Sequence, residues 1–367
     1  MTKETQTHVF AASDLDSLWQ KRPFIISGPC SAETEEQVLA AAEQIAATQR
    51  ADLMRAGVWK PRTKPGMFEG AGGQALEWLI KAKARTGLPF CVEVANVSQT
   101  EQALRAGTDV LWIGARTTVN PFSVQEIADA LRGVDIPVLI KNPTHPDIDL
   151  WTGAVERLAR AGINKIGLIH RGFSVYGNRE YRNAPMWHLA IEMKRRFPDL
   201  MMICDPSHIC GRRDTLQAVA QKAIDLDFDG LMLETHPNPD EAWSDAKQQI
   251  TPERFREIID SLIWRNEDAP SDEYHQALDT LREQINHLDD EIFEVLSRRM
   301  ALAREIALLK KQNNVTILQT NRWNEMLERA KAKKDKMQLS DEFIHKWIEV
   351  VHWESIRQQK KILDEPM

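Results

Sequence analysis

The 367-residue chain lacks any run of about 18 apolar residues, the length that a membrane-crossing helix needs. A membrane protein is therefore not expected. Its N-terminus, MTKETQTHVFAASDLDSLW, lacks the basic start and apolar stretch of a secretory leader, which points to a cytoplasmic protein. Cysteine is scarce. The four thiols, Cys30, Cys91, Cys204 and Cys210, show neither a disulfide framework nor the paired spacing of a zinc module. A reducing compartment follows. A basic surplus is also missing: the net charge is −7, which leaves no electrostatic footprint for a nucleic-acid partner. No G-x-G-x-x-G run is present, so a dinucleotide-binding turn has no support. Glycine is absent beyond Tyr274, and proline does not recur after Pro270 until Pro366. What is present is ordinary for a globular chain, with 43% hydrophobic and 28% charged residues. The length allows one large domain plus one small one.

From Pro23 to Trp264 short apolar runs alternate with amphipathic stretches. PFIISGP, ADLMRAGVW, PFCVEVAN, DVLWIGAR, PVLIKNP, KIGLIHR, MMICDPS and GLMLETH read as strands. EEQVLAAAEQIAATQ and AVERLARAG between them read as helices. Strict alternation predicts a parallel sheet with right-handed crossovers. Eight repeats over about 240 residues match an α/β fold of the (β/α)8 TIM-barrel type, with an open doubly wound sheet as the alternative. RNEDAPSDEY, residues 265–274, is polar and reads as a linker. The domains are thus expected at 1–264 and 275–367.

The tail is helical by pattern. Leu278, Leu281, Ile285, Leu288, Ile292, Val295, Arg299, Leu302, Ile306 and Leu309 follow steps of three and four, a heptad seam. A helix of about 40 residues would run about 60 Å. So long a seam cannot be buried within a small domain, so a homodimer through this segment is expected. Arg299 interrupts the seam, and a charge buried there costs several kcal/mol, on the order of 3–5, unless something pairs with it.

In such barrels the chemistry sits at the C-terminal ends of the strands. There the sequence places Arg55, Lys60, Arg62, Arg116, Lys141 and Arg171, with Glu93 on strand 3. Cations crowd one mouth only if anions hold them, which points to a multiply anionic, phosphorylated substrate. A second set is Cys30, His208, Glu234 and Asp245. A thiolate, an imidazole and two carboxylates suit a divalent transition metal. Cys91 and Cys204 fall inside strands and read as core.

The motifs GPCSAE, RAGVWKPRT, WIGAR, DPSH and GLMLETHPNPDEAWSDA resemble those of the type I 3-deoxy-D-arabino-heptulosonate 7-phosphate (DAHP) synthases, closest to their β subclass, over essentially the whole barrel. The resemblance implies condensation of phosphoenolpyruvate with erythrose 4-phosphate. It implies one divalent metal ion, Mn2+ first, with Fe2+, Co2+ or Zn2+ as the others this set accepts. Cys30, His208, Glu234 and Asp245 would hold it, and the ion would polarise the aldehyde oxygen. Arg55, Lys60, Arg116, Lys141 and Arg171 would bind phosphoenolpyruvate. Lys60, Pro61, Arg62 and Thr63 would take erythrose 4-phosphate, with Glu93 also facing substrate. The octulosonate 8-phosphate synthases are the alternative. They typically carry Lys-Ala-Asn-Arg where this chain has Lys60-Pro61-Arg62. Departures from the family pattern are Lys64, Asn142-Pro143 and His170. The short N-terminus leaves no room for the extra regulatory domain of some relatives.

LREQINHLDDEIFEVLSRRMALAREIALLKK, with ILQTNRW and VHWESIRQQ, resembles the all-helical chorismate mutases. That resemblance implies an intertwined dimer rearranging chorismate to prephenate. Arg282 would reach into the partner's pocket, and Arg299, Lys310, Arg322, Ser355 and Gln359 would line it. Trp323 stands where many members have a Glu for the substrate hydroxyl, and Gln319 is the candidate substitute. A dimerising, ligand-sensing tail without catalysis is the alternative. A mutase fused to a synthase also suggests feedback inhibition by the mutase ligand.

Overall fold

The structure, a computed structural model, describes residues 17, 19–60, 66–177, 180–265, 271–331 and 338–364, with Thr320, Asn321 and Lys331 described in the backbone only. Pro61, Arg62, Thr63 and Lys64, and residues 266–270 of the expected linker, lie outside the described residues. The chain divides into two compact units, Met1–Glu267 and Asp268–Met367.

The first unit is a closed barrel of eight parallel strands in sequential order. They are β1 (Phe24–Gly28), β2 (Leu53–Arg55), β3 (Phe90–Val94), β4 (Val110–Ile113), β5 (Val138–Lys141), β6 (Ile166–His170), β7 (Met201–Cys204) and β8 (Gly230–Glu234). Pairing of β1 with β8 over five residues closes the ring. All eight expected strands are present. Around them lie α1 (Glu35–Thr48), α2 (Gly73–Thr86), α3 (Val97–Arg105), α4 (Ala115–Thr118), α5 (Pro121–Ala130), α6 (Ile148–Arg160), α7 (Trp187–Arg196), α8 (Pro206–Cys210), α9 (Leu216–Asp225) and α10 (Pro252–Ser261).

Local chemistry starts these helices. Thr34 accepts a hydrogen bond from the Gln37 N–H, and Glu35 and Glu36 follow in the first turn of α1, where the helix dipole favours acids. Asp147 caps α6 by accepting from the Leu150 N–H. Asp205 caps α8 by accepting from the His208 N–H, with Pro206 at the first helical position.

Successive strand residues point to opposite faces. One set, including Ile25, Met54, Val92, Leu111, Ile140, Leu168, Met202 and Leu231, packs outward with the helices. The other set, Phe24, Ile26, Leu53, Cys91, Val110, Trp112, Leu139, Ile169, Met201, Ile203 and Met232, fills the lumen. Cys91 and Cys204 are both fully buried, in the inner and outer cores respectively.

The second unit consists of α11 (Asp272–Gln312), α12 (Thr320–Lys331) and α13 (Asp341–Asp364). Ser271 caps α11 by accepting from the Tyr274 N–H. The long helix spans 41 residues. Its inner face is Met300, Ala303 and Ala307, whose two alanines allow close approach. On α13 the buried stripe is Ile344, Val351, Ser355 and Gln359. The heptad seam of α11 is a different face. Leu281, Ile285, Leu288, Ile292, Val295, Leu302, Ile306 and Leu309 are all exposed within the single chain. Among the described residues no helix is long and apolar enough to cross a membrane.

Candidate functional site

The period of two carries chemistry to the top of the lumen. Two residues beyond Leu53, Cys91, Leu139, Ile169, Ile203 and Met232 stand Arg55, Glu93, Lys141, Arg171, Asp205 and Glu234. The apolar layer ends and a charged layer begins. Arg55, Lys141, Arg171, Asp205 and Glu234 are all buried. Buried charges need partners. The Arg55 guanidinium lies 3.2 Å from Glu234 Oε1 and over the Trp112 ring, 5.0 Å from its centroid. Lys141 Nζ lies 2.8 Å from Asp205 Oδ2. Arg171 Nη1 donates to Asn183 Oδ1 at 2.9 Å, and its backbone N–H donates to Asn142 Oδ1 at 2.7 Å. The Asn142 amide also donates to the Gly172 carbonyl at 2.9 Å. The unusual Asn142-Pro143 step thus clamps the Arg171 loop.

Glu93 accepts a hydrogen bond from Trp112 Nε1 at 2.9 Å. A Cβ on Gly114 would stand 2.0 Å from Glu93 Oε1, so this position must be glycine for the carboxylate to occupy the lumen. Arg116 is exposed at the start of α4, near enough for its charge to act on Arg171. Burial lowers Arg171 to about 10, which leaves it a cation at neutral pH.

Beside these cations lies a cluster of Cys30, Glu234 and Asp245, whose ligand atoms are all within 4.8 Å of one another. Cys30 Sγ is 3.6 Å from Asp245 Oδ2, and Lys60 Nζ donates to Cys30 Sγ at 3.1 Å and to its carbonyl at 2.8 Å. Lys60 reaches there because Gly57 has no Cβ. Such an atom would stand 2.3 Å from the Cys30 carbonyl and 2.9 Å from Lys60 Nζ. Without a metal, burial pushes the Cys30 thiol up to about 11, assisted by the Glu234 charge. The Asp245 carboxyl lies at about 2. Burial opposes ionisation there, but Arg182, His208 and Lys60 outweigh it. His208 Nε2 points at Glu234 Oε1 from 3.7 Å, next to the three-residue cluster. Buried Glu234 Oε1 accepts no hydrogen bond, its 3.2 Å contact with Arg55 being an ion pair only, whereas Oε2 accepts from Gln248 at 2.6 Å. An anionic oxygen left undonated beside a thiol, an imidazole nitrogen and a second carboxylate fits a divalent cation.

Four supporting residues had no role assigned from the sequence. Gln249 Oε1 accepts from the Cys30 N–H at 2.9 Å, and Gln248 holds Glu234. Arg182 pairs with Asp245 at 3.1 Å, and Asp205 joins Lys141 to His208. Only the strand-end position of Asp205 carried a signal, and it was legible by counting two from Ile203. The other three sit on loops with no period to read.

In the helical unit, Arg299 donates to the Ser355 hydroxyl, which donates in turn to the Val351 carbonyl at 2.8 Å. Burial lowers Arg299, and the charge of Arg322 adds to the effect. The two arginines share a cavity of about 870 Å3 with Ile292, Val295, Met326 and Val351. Ser355 and Gln359 do not line it, and neither does Lys310. Its amine donates to the Ile317 carbonyl at 2.5 Å. Gln359 Oε1 is buried without a partner. Gln319 is exposed, Arg282 faces Asp279 on its own helix at 3.6 Å, and Trp323 packs tilted against His352 with centroids 4.7 Å apart.

The first unit is therefore a closed (β/α)8 barrel whose lumen gathers cations beside a thiol and carboxylate group able to hold a metal, and the second is a helical domain with clustered arginines. The family model of the DAHP synthetase I family matches residues 19–268, and the chain belongs to that family. A second family, chorismate mutase type II, matches residues 281–360, so the chain carries both enzyme domains. The phospho-2-dehydro-3-deoxyheptonate aldolase of Thermotoga maritima is 31% identical over 65% of this chain and 68% of its own length. Its crystal structure superposes with a TM-score of 0.59 at 30% identity, over 65% of this chain and 67% of that one. The 2-dehydro-3-deoxyphosphooctonate aldolase of Syntrophotalea carbinolica is 27% identical over 65% of this chain and 89% of its own. DAHP synthases are in general metal-dependent, in keeping with the Cys30 cluster, and both domains act on small molecules.

Proposed function

We propose that the barrel joins phosphoenolpyruvate to erythrose 4-phosphate. Cys30, His208, Glu234 and Asp245 would hold Mn2+ or a similar divalent ion, which supplies Lewis-acid polarisation of the aldehyde oxygen. The observation that carries this reading is the undonated Glu234 Oε1 among Cys30, His208 and Asp245, directly beside the buried cations of the lumen. Arg55, Lys141 and Arg171, with Lys60 and Arg116 at the rim, bind the carboxylate and phosphate of phosphoenolpyruvate. Held cations align the enol carbon with the aldehyde and neutralise charge that develops as the new C–C bond forms. Water then adds to the neighbouring phosphate-bearing carbon, left cationic by that attack, and phosphate leaves with C–O cleavage. Pro61, Arg62 and Thr63 take the erythrose phosphate. The test is a side-by-side assay with erythrose 4-phosphate and arabinose 5-phosphate. Turnover of the five-carbon sugar alone would reassign the barrel to the octulosonate reaction.

The helical unit rearranges chorismate to prephenate. Arg299 and Arg322 clamp the carboxylates in the compact conformer, and Ser355, Lys310 and Gln359 complete the pocket. Lys310 must turn from the Ile317 carbonyl to do so. The exposed seam supports a homodimer, in which Arg282 of each copy serves the other's pocket. The fusion of the two enzymes further supports inhibition of the synthase by prephenate or chorismate. Synthase rates unchanged at saturating mutase occupancy would remove that part.

A further inference from the structure

Asp205 caps α8 and touches both Lys141 and His208. It is fully buried at the centre of the charged layer. Its Oδ1 accepts from the His208 backbone N–H at 3.1 Å. Its Oδ2 lies 2.8 Å from Lys141 Nζ and 2.8 Å from His208 Nδ1. On the other side of the ring, His208 Nε2 faces the undonated Glu234 Oε1. The 2.8 Å contact is not aligned as a hydrogen bond, but a ring nitrogen this close to a carboxylate oxygen escapes lone-pair repulsion only by carrying a proton. The proton then cannot be on Nε2 in the neutral ring, and Nε2 presents its lone pair to another acceptor.

We infer that Asp205 is a positioning residue that fixes His208 as the Nδ1–H tautomer, leaving Nε2 free to ligate, and couples that ring to the substrate-facing Lys141. This rests on the reading of His208 as a metal ligand. A carboxylate behind a ligating histidine sets ring orientation and basicity, and its loss typically weakens metal binding about 10–100-fold. Asp205→Asn keeps the shape but inverts the chemistry. If the amide oxygen stays on the His208 N–H as the cap, the NH2 group meets Lys141 and Nδ1. Nδ1 must then accept, and the proton moves to Nε2, where it blocks the ligand position.

The test is Co2+ titration of the metal-stripped full chain, followed by the thiolate-to-cobalt absorption band. Wild type should show the band, and Asp205→Asn should bind Co2+ about 10–100-fold more weakly. Equal affinities in two folded proteins would overturn the inference. No band in wild type would instead overturn the ligand reading itself. Because Asp205 also caps a helix, a measurement on the wild type stands beside this. Nitrogen-15 histidine spectra of the metal-free chain, with His208 assigned through His208→Gln, should show Nδ1 protonated and Nε2 bare. An Nε2–H tautomer there would sink the proposal even if Asp205→Asn failed to fold.

Discussion

The barrel and the helical unit both bring arginines together, but by different means. In the barrel the partners come from the same chain. Arg55 faces Glu234, Lys141 faces Asp205, and Arg171 is held by Asn183 and Asn142. The charged layer rests on an apolar floor of Trp112, Ile169 and Met232 and is complete in one copy. In the helical unit, among the described residues, Arg299 finds only the Ser355 hydroxyl, and the cavity it shares with Arg322 opens among exposed aliphatic residues. Leu288 is 57% and Leu302 59% exposed. A closed barrel has no free edge and buries its strands from both sides. A three-helix unit has too little surface turned inward to do the same. The difference teaches that the charged layer of the barrel finds its partners within one chain, whereas the helical unit leaves an apolar seam exposed, which is why a mutase site shared by two chains is the proposal.

The sharpest break between the halves is metal removal. Exhaustive chelation, or Cys30→Ala, should lower synthase turnover on the order of 10³-fold or more, the scale of losing electrostatic stabilisation of a developing oxyanion. Mutase turnover of the same sample should not change. Full synthase activity after chelation would refute the ligand set.

Next in size is Arg299→Ala, expected to lower prephenate formation on the order of 10²–10³-fold while synthase turnover holds. A tail that is merely a dimerising module would have no prephenate formation to lose, so its absence in wild type decides for that alternative.

The seam gives a smaller and different effect. Ile292→Asp removes an aliphatic contact worth about 2 kcal/mol in each copy of a symmetric interface. Sedimentation should show weakened association of the isolated 271–367 segment, and mutase activity of the full chain should become concentration-dependent. Unchanged association would show that α11 pairs through another face.

The smallest effect concerns His170, packed among Phe173, Trp187 and Phe228 on the outer side of β6. Burial lowers its pKa to about 3, so the folded protein keeps the ring neutral. The unfolded chain binds the proton first, from about pH 6.5 downward. Stability contributed by the neutral ring is therefore present above that pH and is lost as pH falls towards 3. His170→Phe should flatten this part of the Tm-against-pH curve and leave both activities near wild type. A loss of synthase activity would mean that the ring supports Arg171 in some way that apolar packing cannot replace.

Much of this was readable residue by residue. The alternation of strand and helix, the two-residue period that carries Arg55, Lys141, Arg171 and Glu234 inward, and the heptad steps of α11 all follow from local geometry. The interruption at Arg299 was legible because a charge on an apolar stripe needs a reason. Gln248, Gln249 and Arg182 were not legible, since loop residues obey no period and their partners lie far along the chain. The departures Asn142-Pro143 and His170 could be noticed in sequence, but only packing gave the first a clamp and the second an aromatic wall.

The sequence by itself determined which elements form, which side chains point into the lumen, and that α11 presents an apolar seam, because backbone periodicity is local. The tertiary structure alone decided which charges pair. Barrel closure turns the ends of β5 and β7, on either side of β6, into one lumen, so that Asp205 meets Lys141 across 64 positions, and it places Asp245 against Cys30 across 215. Electrostatic pairing acts through distance in space, and that distance is set only when the ring of strands has closed.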